Sequence, residues 1–79
     1  MGHIPKAYVL VNVDAGSDKE VFKAIQNIDG IVESHITLGA ADLIVEIDSE
    51  DPDIIHQIIY EKIRKIDQVR STQTMTVVE

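Results

Sequence analysis

The residues best suited to chemistry in this chain sit in one short turn, Leu38-Gly39-Ala40-Ala41-Asp42. Glycine lets a backbone approach a ligand closely or take positive φ. The two alanines leave space and keep backbone N–H groups accessible, and Asp42 sets a carboxylate beside them. Such a turn can hold a zwitterion, with N–H groups toward a carboxylate and Asp42 toward an ammonium. The plainer reading is a hairpin turn in which glycine and aspartate serve conformation alone. A G-x-x-D spacing by itself has little specificity.

Other chemistries find less support. The chain has no cysteine, so disulfides and thiolate metal ligands are excluded. His3 is near the N-terminus, His35 is on a predicted strand, and His56 shares a predicted helix face with Tyr60. No pair of these histidines has metal-ligand spacing within one element. The acidic run Asp48, Glu50, Asp51 and Asp53 lacks the glycine and the distal glutamate of a calcium loop, and helix capping accounts for it. There is no G-x-S-x-G elbow and no glycine-rich phosphate loop. Ser17, Ser34, Ser49 and Ser71 fit cap, strand or turn positions. No catalytic residue, metal or cofactor is expected. An enzyme reading, as a small dimeric α+β barrel, would have to start from His35 and Glu46, and neither has an obvious partner.

The elements that must position the turn follow from periodicity. Lys6 to Val13 is a strand rich in β-branched residues, ended by Asp14-Ala15-Gly16. Ser17 stands three residues before Glu20, the capping-box spacing. Val21, Phe22, Ile25 and Ile28 continue at helical spacing, and Gly30 is expected to close that helix at C′. Ile31 to Leu38 and Leu43 to Asp48 read as strands joined through the turn. Asp51-Pro52-Asp53 signals a helix start, with Ile55, Ile58, Ile59, Ile63 and Ile66 as its apolar stripe. A last strand runs from about Val69 to Val78. The order β-α-β-β-α-β predicts a ferredoxin-like α+β fold: a four-stranded antiparallel sheet with two helices on one face. Ile25, Ile28-Asp29, Ile31 and Ser34 match Ile63, Ile66-Asp67, Val69 and Thr72 at a constant offset of 38 residues. Each half therefore reads as one β-α-β unit.

Alternation divides the strands into two faces. Ala7, Val9, Val11 and Val13, with Leu43, Val45 and Ile47, form an apolar set that belongs under the helices. Tyr8, Leu10 and Asn12, with Ile44, Glu46 and Asp48, form a mixed set with no cover within the chain. Thr72, Thr74 and Thr76 are expected to add a row to this second face. An uncovered patch of Tyr8, Leu10 and Ile44 marks an interaction surface, and face-to-face pairing with a second copy would bury it.

The bulk properties fit one domain over residues 1–79. Hydrophobic residues make up 44% and charged residues 27%, an ordinary globular balance. The only aromatic residues are Tyr8, Phe22 and Tyr60, so the core must be aliphatic. Seven basic residues face fourteen acidic ones, for a net charge of −7. That surface repels phosphate backbones, so direct nucleic-acid contact is not expected. Lys62, Arg64 and Lys65 cluster with Arg70, and the first three suit a helix C-terminus. No apolar run nears the roughly 20 residues of a membrane span, and Met1 to Lys6 lacks the layout of a signal peptide. A cytoplasmic location, away from membranes, is the default.

Two segments carry a family resemblance. Ile36-Thr37-Leu38-Gly39-Ala40-Ala41-Asp42-Leu43 resembles the G-x-[aromatic]-D hairpin of the Lrp/AsnC regulators' effector domain, also called the RAM (regulation of amino-acid metabolism) domain. Val69-Arg70-Ser71-Thr72-Gln73-Thr74-Met75-Thr76-Val77-Val78 resembles that domain's V-x-x-T-x-T-x-x-V-V final strand. The resemblance spans nearly the whole chain. It implies a domain that binds an amino-acid effector, forms dimers, and assembles them into rings of four or five dimers. It implies an effector pocket where dimers meet, lined by Leu38, Gly39, Ala40, Ala41 and Asp42, with Thr72 and Thr74 added from the final strand. Ala41 departs from the pattern, standing where the family usually has an aromatic residue. Family regulators also carry an N-terminal helix-turn-helix domain, whereas this chain starts at the first sheet strand and so resembles the stand-alone effector proteins. Such a protein would act on transcription through full-length Lrp/AsnC partners. The competing expectation is a structural or partner-binding oligomer with no small ligand.

Overall fold

The computed structural model describes residues 6–78. The expectations placed on Met1 to Pro5, His3 among them, lie outside the described residues. Strand β1 spans Lys6–Val13, helix α1 Asp18–Gln26, β2 Ile31–Ile36, β3 Leu43–Asp48, α2 Pro52–Ile58 and β4 Val69–Thr76. Helix α2 runs on into a π-helical turn, Ile59–Ile63. The sheet order is β2-β3-β1-β4, and every neighbouring pair is antiparallel. This is the predicted ferredoxin-like α+β arrangement. β2 stops at Ile36 and β4 at Thr76, two residues short of the predicted Leu38 and Val78 in each case.

The core forms where the apolar alternation said it would. Ala7, Val9 and Val11 of β1 and Leu43, Val45 and Ile47 of β3 are fully buried. Val21 and Ile25 of α1, with Ile58, Ile59 and Ile63 of the second helix, pack on them in one cluster. Both helices therefore cover the same sheet face. No aromatic side chain is fully buried there, and each buried aliphatic side chain contributes about 1.5–3 kcal/mol.

Local signals fared unevenly. Asp51 caps α2 as expected: its Oδ1 accepts from the Asp53 N–H at 2.9 Å, with Pro52 in the first turn. Ser17 precedes α1, but its side chain makes no capping bond. Its backbone lies at φ −100°, ψ 7°, away from the extended geometry that points a capping hydroxyl at the helix. Helix α1 ends at Gln26 with Asn27 as its cap, not at Gly30. The Asn27 and Ile28 N–H groups bond back to the carbonyls of Ala24 and Ile25, so the helix tightens before the glycine is reached. Gly30 instead turns the chain into β2 at φ +98°. A Cβ there would lie 2.6 Å from Ile58 Cδ1, so glycine also permits close approach to the second helix.

The sequence repeat is a structural repeat. Ile25 and Ile63 are both fully buried. Ile28 N–H bonds to Ile25 O at 3.0 Å and Ile66 N–H to Ile63 O at 3.2 Å; Ile31 N–H bonds to Ile28 O at 3.4 Å and Val69 N–H to Ile66 O at 3.0 Å. The same turn thus feeds β2 and β4.

One face assignment is corrected. Thr72, Thr74 and Thr76 lie opposite Val11, Val9 and Ala7, so they share the helix-bearing face of the sheet. Directly paired residues point the same way, and β1 fixes the register. The open face instead receives Ser71, Gln73 and Met75, opposite Asn12, Leu10 and Tyr8. From β2 and β3 it receives Glu33, His35, Ile44 and Glu46. Tyr8, Leu10, Ile44 and Met75 make its apolar centre, and Met75 is 46% exposed.

Candidate functional site

The hairpin turn is anchored at its base and free at its tip. The Thr37 N–H donates to Asp42 O at 2.9 Å, and Thr37 Oγ1 donates to Ala41 O at 2.9 Å. The Asp42 N–H donates to Val11 O at 3.0 Å. Asp42 Oδ2 accepts from the Val13 N–H at 2.9 Å. The last bond has a clear cause. Val13 directs its N–H to the same side as Val11, toward β3, but the β1–β3 ladder ends at the Val11–Leu43 pair. A backbone donor there needs another partner, and Asp42 supplies it.

Above this base, Leu38, Gly39 and Ala40 are exposed, and Leu38 has no cover at all at 102% relative exposure. Gly39 adopts φ +136°, with open space where a Cβ would stand. Ala41 is buried and Asp42 half-buried. The turn therefore presents exposed backbone at its tip, while one carboxylate oxygen of Asp42 is already committed to the fold.

Thr72 and Thr74 stand apart from that turn within one chain. Val11 pairs with Leu43 on one side and Thr72 on the other. β1 thus separates the turn's end of β3 from β4 by two strand spacings, about 10 Å. Thr74 lies one pair further along, opposite Val9. A ligand touching Asp42 and these threonines of the same chain would have to cross β1.

Two cavities escaped the sequence reading. A groove of about 380 Å³ lies between the second helix and β4, lined by Ser49, Glu50, Pro52, Ile55, His56, Ile59, Tyr60, Thr74 and Thr76. The His56 and Tyr60 rings stack at 4.2 Å, and the Arg64 guanidinium lies 4.8 Å from the Tyr60 ring centre. The i, i+4 spacing of His56 and Tyr60 was the available signal. The threonine row completes the groove only because it lies on the helix side. A smaller cavity of about 170 Å³ on the open face is lined by Tyr8, Glu33, His35, Ile44 and Glu46. It brings together His35 and Glu46, the two starting points of an enzyme reading, but each is already engaged. His35 Nε2 is 3.0 Å from Glu33 Oε1, and Lys6 Nζ is 3.2 Å from Glu46 Oε2. The hydrogen bond and charge of Glu46 hold the Lys6 ammonium above the usual lysine value of 10.5. Among the described residues no three His, Asp or Glu side chains are grouped to hold a metal ion, and no helix is long and apolar enough to cross a membrane.

Four antiparallel strands with both helices on one face and a tethered glycine turn define a ferredoxin-like α+β domain. The family model for the Lrp/AsnC ligand-binding domain matches residues 6–79, and the chain belongs to that family. An uncharacterised HTH-type transcriptional regulator of Pyrococcus furiosus is 35% identical over 72 residues, 87% of this chain and 48% of that protein. The chain thus spans about half the length of the curated relatives it matches. Among solved structures, FFRP-DM1 superposes with a TM-score of 0.86 at 29% identity, over 96% of this chain and all of that one. The transcriptional regulator NMB0573 of Neisseria meningitidis, solved as a complex with L-Met, shares the fold at a TM-score of 0.83 and 14% identity, over 95% of this chain and 50% of that one. The family is one of regulatory ligand-binding domains, not of enzymes.

Proposed function

We propose that this domain pairs through its open sheet face and that the assembly senses a free amino acid at the hairpin turn, modulating transcription through full-length Lrp/AsnC regulators. The observation that carries the reading is the uncovered apolar centre formed by Tyr8, Leu10, Ile44 and Met75 on a sheet whose other face carries both helices. A sister molecule on that face makes a closed dimer. Higher assembly into a ring of four or five dimers then lets one dimer's turn meet another dimer's surface. That step matters because Leu38, Gly39, Ala40, Ala41 and Asp42 are separated from Thr72 and Thr74 by β1. A neighbouring dimer can bring both sets to one ligand. The L-Met bound by the structurally similar Neisseria regulator supports an amino acid as the effector class. The net charge of −7 favours action through protein partners over contact with DNA.

Native mass spectrometry with and without each of the twenty amino acids tests the proposal. The expected result is a multiple of two subunits, with one amino acid retained and its retention reduced by Asp42→Ala. A stable monomer at micromolar concentration, or no response to any amino acid, rejects it. A second reading has its own observation. Asp42 Oδ2 and the Ala41 carbonyl are already bonded to Val13 and Thr37, so the turn's polar groups serve the fold. On that reading the domain is an oligomer with no small ligand, and crystals soaked with amino acids would keep empty turns.

A further inference from the structure

The groove between the second helix and β4 lies at the far end of the sheet from the hairpin turn. Thr74 and Thr76 pair with Val9 and Ala7, and Ser49 follows the Asp48 that pairs with Lys6. The Asp42 anchor is at Val11 and Val13, two to six residues up the same strand from Val9 and Ala7. At about 3.3 Å per residue the groove's strand residues lie roughly 7–20 Å from that anchor.

The lining has a definite chemistry. Pro52, Ile55 and Ile59 give an apolar floor, and the stacked His56 and Tyr60 rings contribute one wall. Arg64 steadies Tyr60 from the next turn, so the wall is braced before any ligand arrives. Thr74 and Thr76 form the opposite side. Among the described residues, neither threonine hydroxyl has a side-chain hydrogen bond. The only formal charge in the lining is Glu50, and no lysine or arginine lines the groove. A carboxylate or phosphate placed there would meet a negative edge, while the Arg64 guanidinium is engaged on the Tyr60 ring and does not line the groove. An ammonium would meet Glu50, on a protein whose net charge of −7 draws cations toward it. A volume of about 380 Å³ falls within the range of small-molecule pockets.

We propose that this groove is a second binding site, for a small aromatic or alkyl amine whose apolar body lies on Pro52, Ile55 and Ile59 and whose ammonium faces Glu50. It shares Thr74 with the proposed effector site but differs from it in chemistry, because an amino acid's carboxylate has no cationic partner among the residues that line this groove.

Three probes of one shape test it on the full chain: phenethylamine, neutral 2-phenylethanol and anionic phenylacetate, titrated into ¹⁵N-labelled protein. The amine should shift the amides of Ile55, His56, Ile59, Thr74 and Thr76, binding about fivefold more tightly than the alcohol, as a partly exposed charge pair allows. Phenylacetate should bind more weakly than either. Glu50 is exposed, so Glu50→Gln should fold normally and erase the amine's advantage over the alcohol. Thr74→Arg, which sets a bulky cation in the groove, should abolish amine binding. Phenylacetate binding as tightly as the amine, a preference that survives Glu50→Gln, or shifts confined to residues 38–42 would overturn the proposal. So would no shift at millimolar probe.

Discussion

Asp42 joins three parts of the backbone at once: its carboxylate holds the Val13 N–H, its own N–H holds Val11, and its carbonyl holds Thr37. Replacing it with alanine leaves the Val13 donor unpaired, which costs about 1–3 kcal/mol. Asn at this position keeps an acceptor, so urea unfolding should find Asp42→Asn closer to wild type than Asp42→Ala. Equal midpoints for all three proteins would mean that the bond to Val13 contributes nothing. Gly30 offers a sharper contrast. Both Gly30 and Gly16 have positive φ, but only Gly30 has a neighbour where Cβ would go. Gly16→Ala should cost about 1–2 kcal/mol from the left-handed backbone alone. Gly30→Ala should lose clearly more, because Ile58 must move. Glycine-rich turns are legible in a sequence, but the atom 2.6 Å away is not. The same limit applies at Asp42: its spacing from Gly39 is visible, while its partner, 29 residues earlier in the chain, depends on where the β1–β3 ladder ends.

Strands β1 and β3 were readable because their two faces differ in kind. Val9 and Val11 against Tyr8 and Asn12 leaves little choice of inner side. β4 lacks that contrast: Thr72, Thr74 and Thr76 alternate with Ser71, Gln73 and Met75, and neither set is plainly apolar. Only its register with β1 decides which set lies under the helices, and register is a property of two strands. The second helix shows a similar limit. Its isoleucines announce a stripe, but not the π-turn in which Arg64 N–H reaches Ile59 O at 2.8 Å. The wider turn aligns residues five apart, so Ile58 and Ile63 both enter the core. Ile63→Ala should therefore behave as a full core truncation, costing about 2–5 kcal/mol. A loss under 1 kcal/mol by chemical denaturation would show that the π-turn repacks freely.

At the scale of the molecule, a chain of 79 residues has packed one sheet face with both helices and left the other without cover. Pairing with a sister copy makes stability depend on concentration. Leu10→Lys, at the centre of the open face, should shift sedimentation to the monomer and make the unfolding midpoint independent of protein concentration. A mutant that still sediments as wild type would locate the interface elsewhere. The element order and the face under the helices were evident from residue types. The apolar centre of the open face was evident in part, because Tyr8, Leu10 and Ile44 were visible while Met75 was hidden in the ambiguous last strand.

The sheet also brings distant parts of the chain side by side, with Val77 N–H bonded to Lys6 O at 2.8 Å. Strand ends held this close can be rejoined by circular permutation. A short glycine linker between them, with new ends cut at Gly39–Ala40, would keep all three strand ladders while severing the tip of the turn. Such a rewired protein would separate two properties the natural connectivity keeps together: the architecture would persist, and any effector response seated at the turn would be lost.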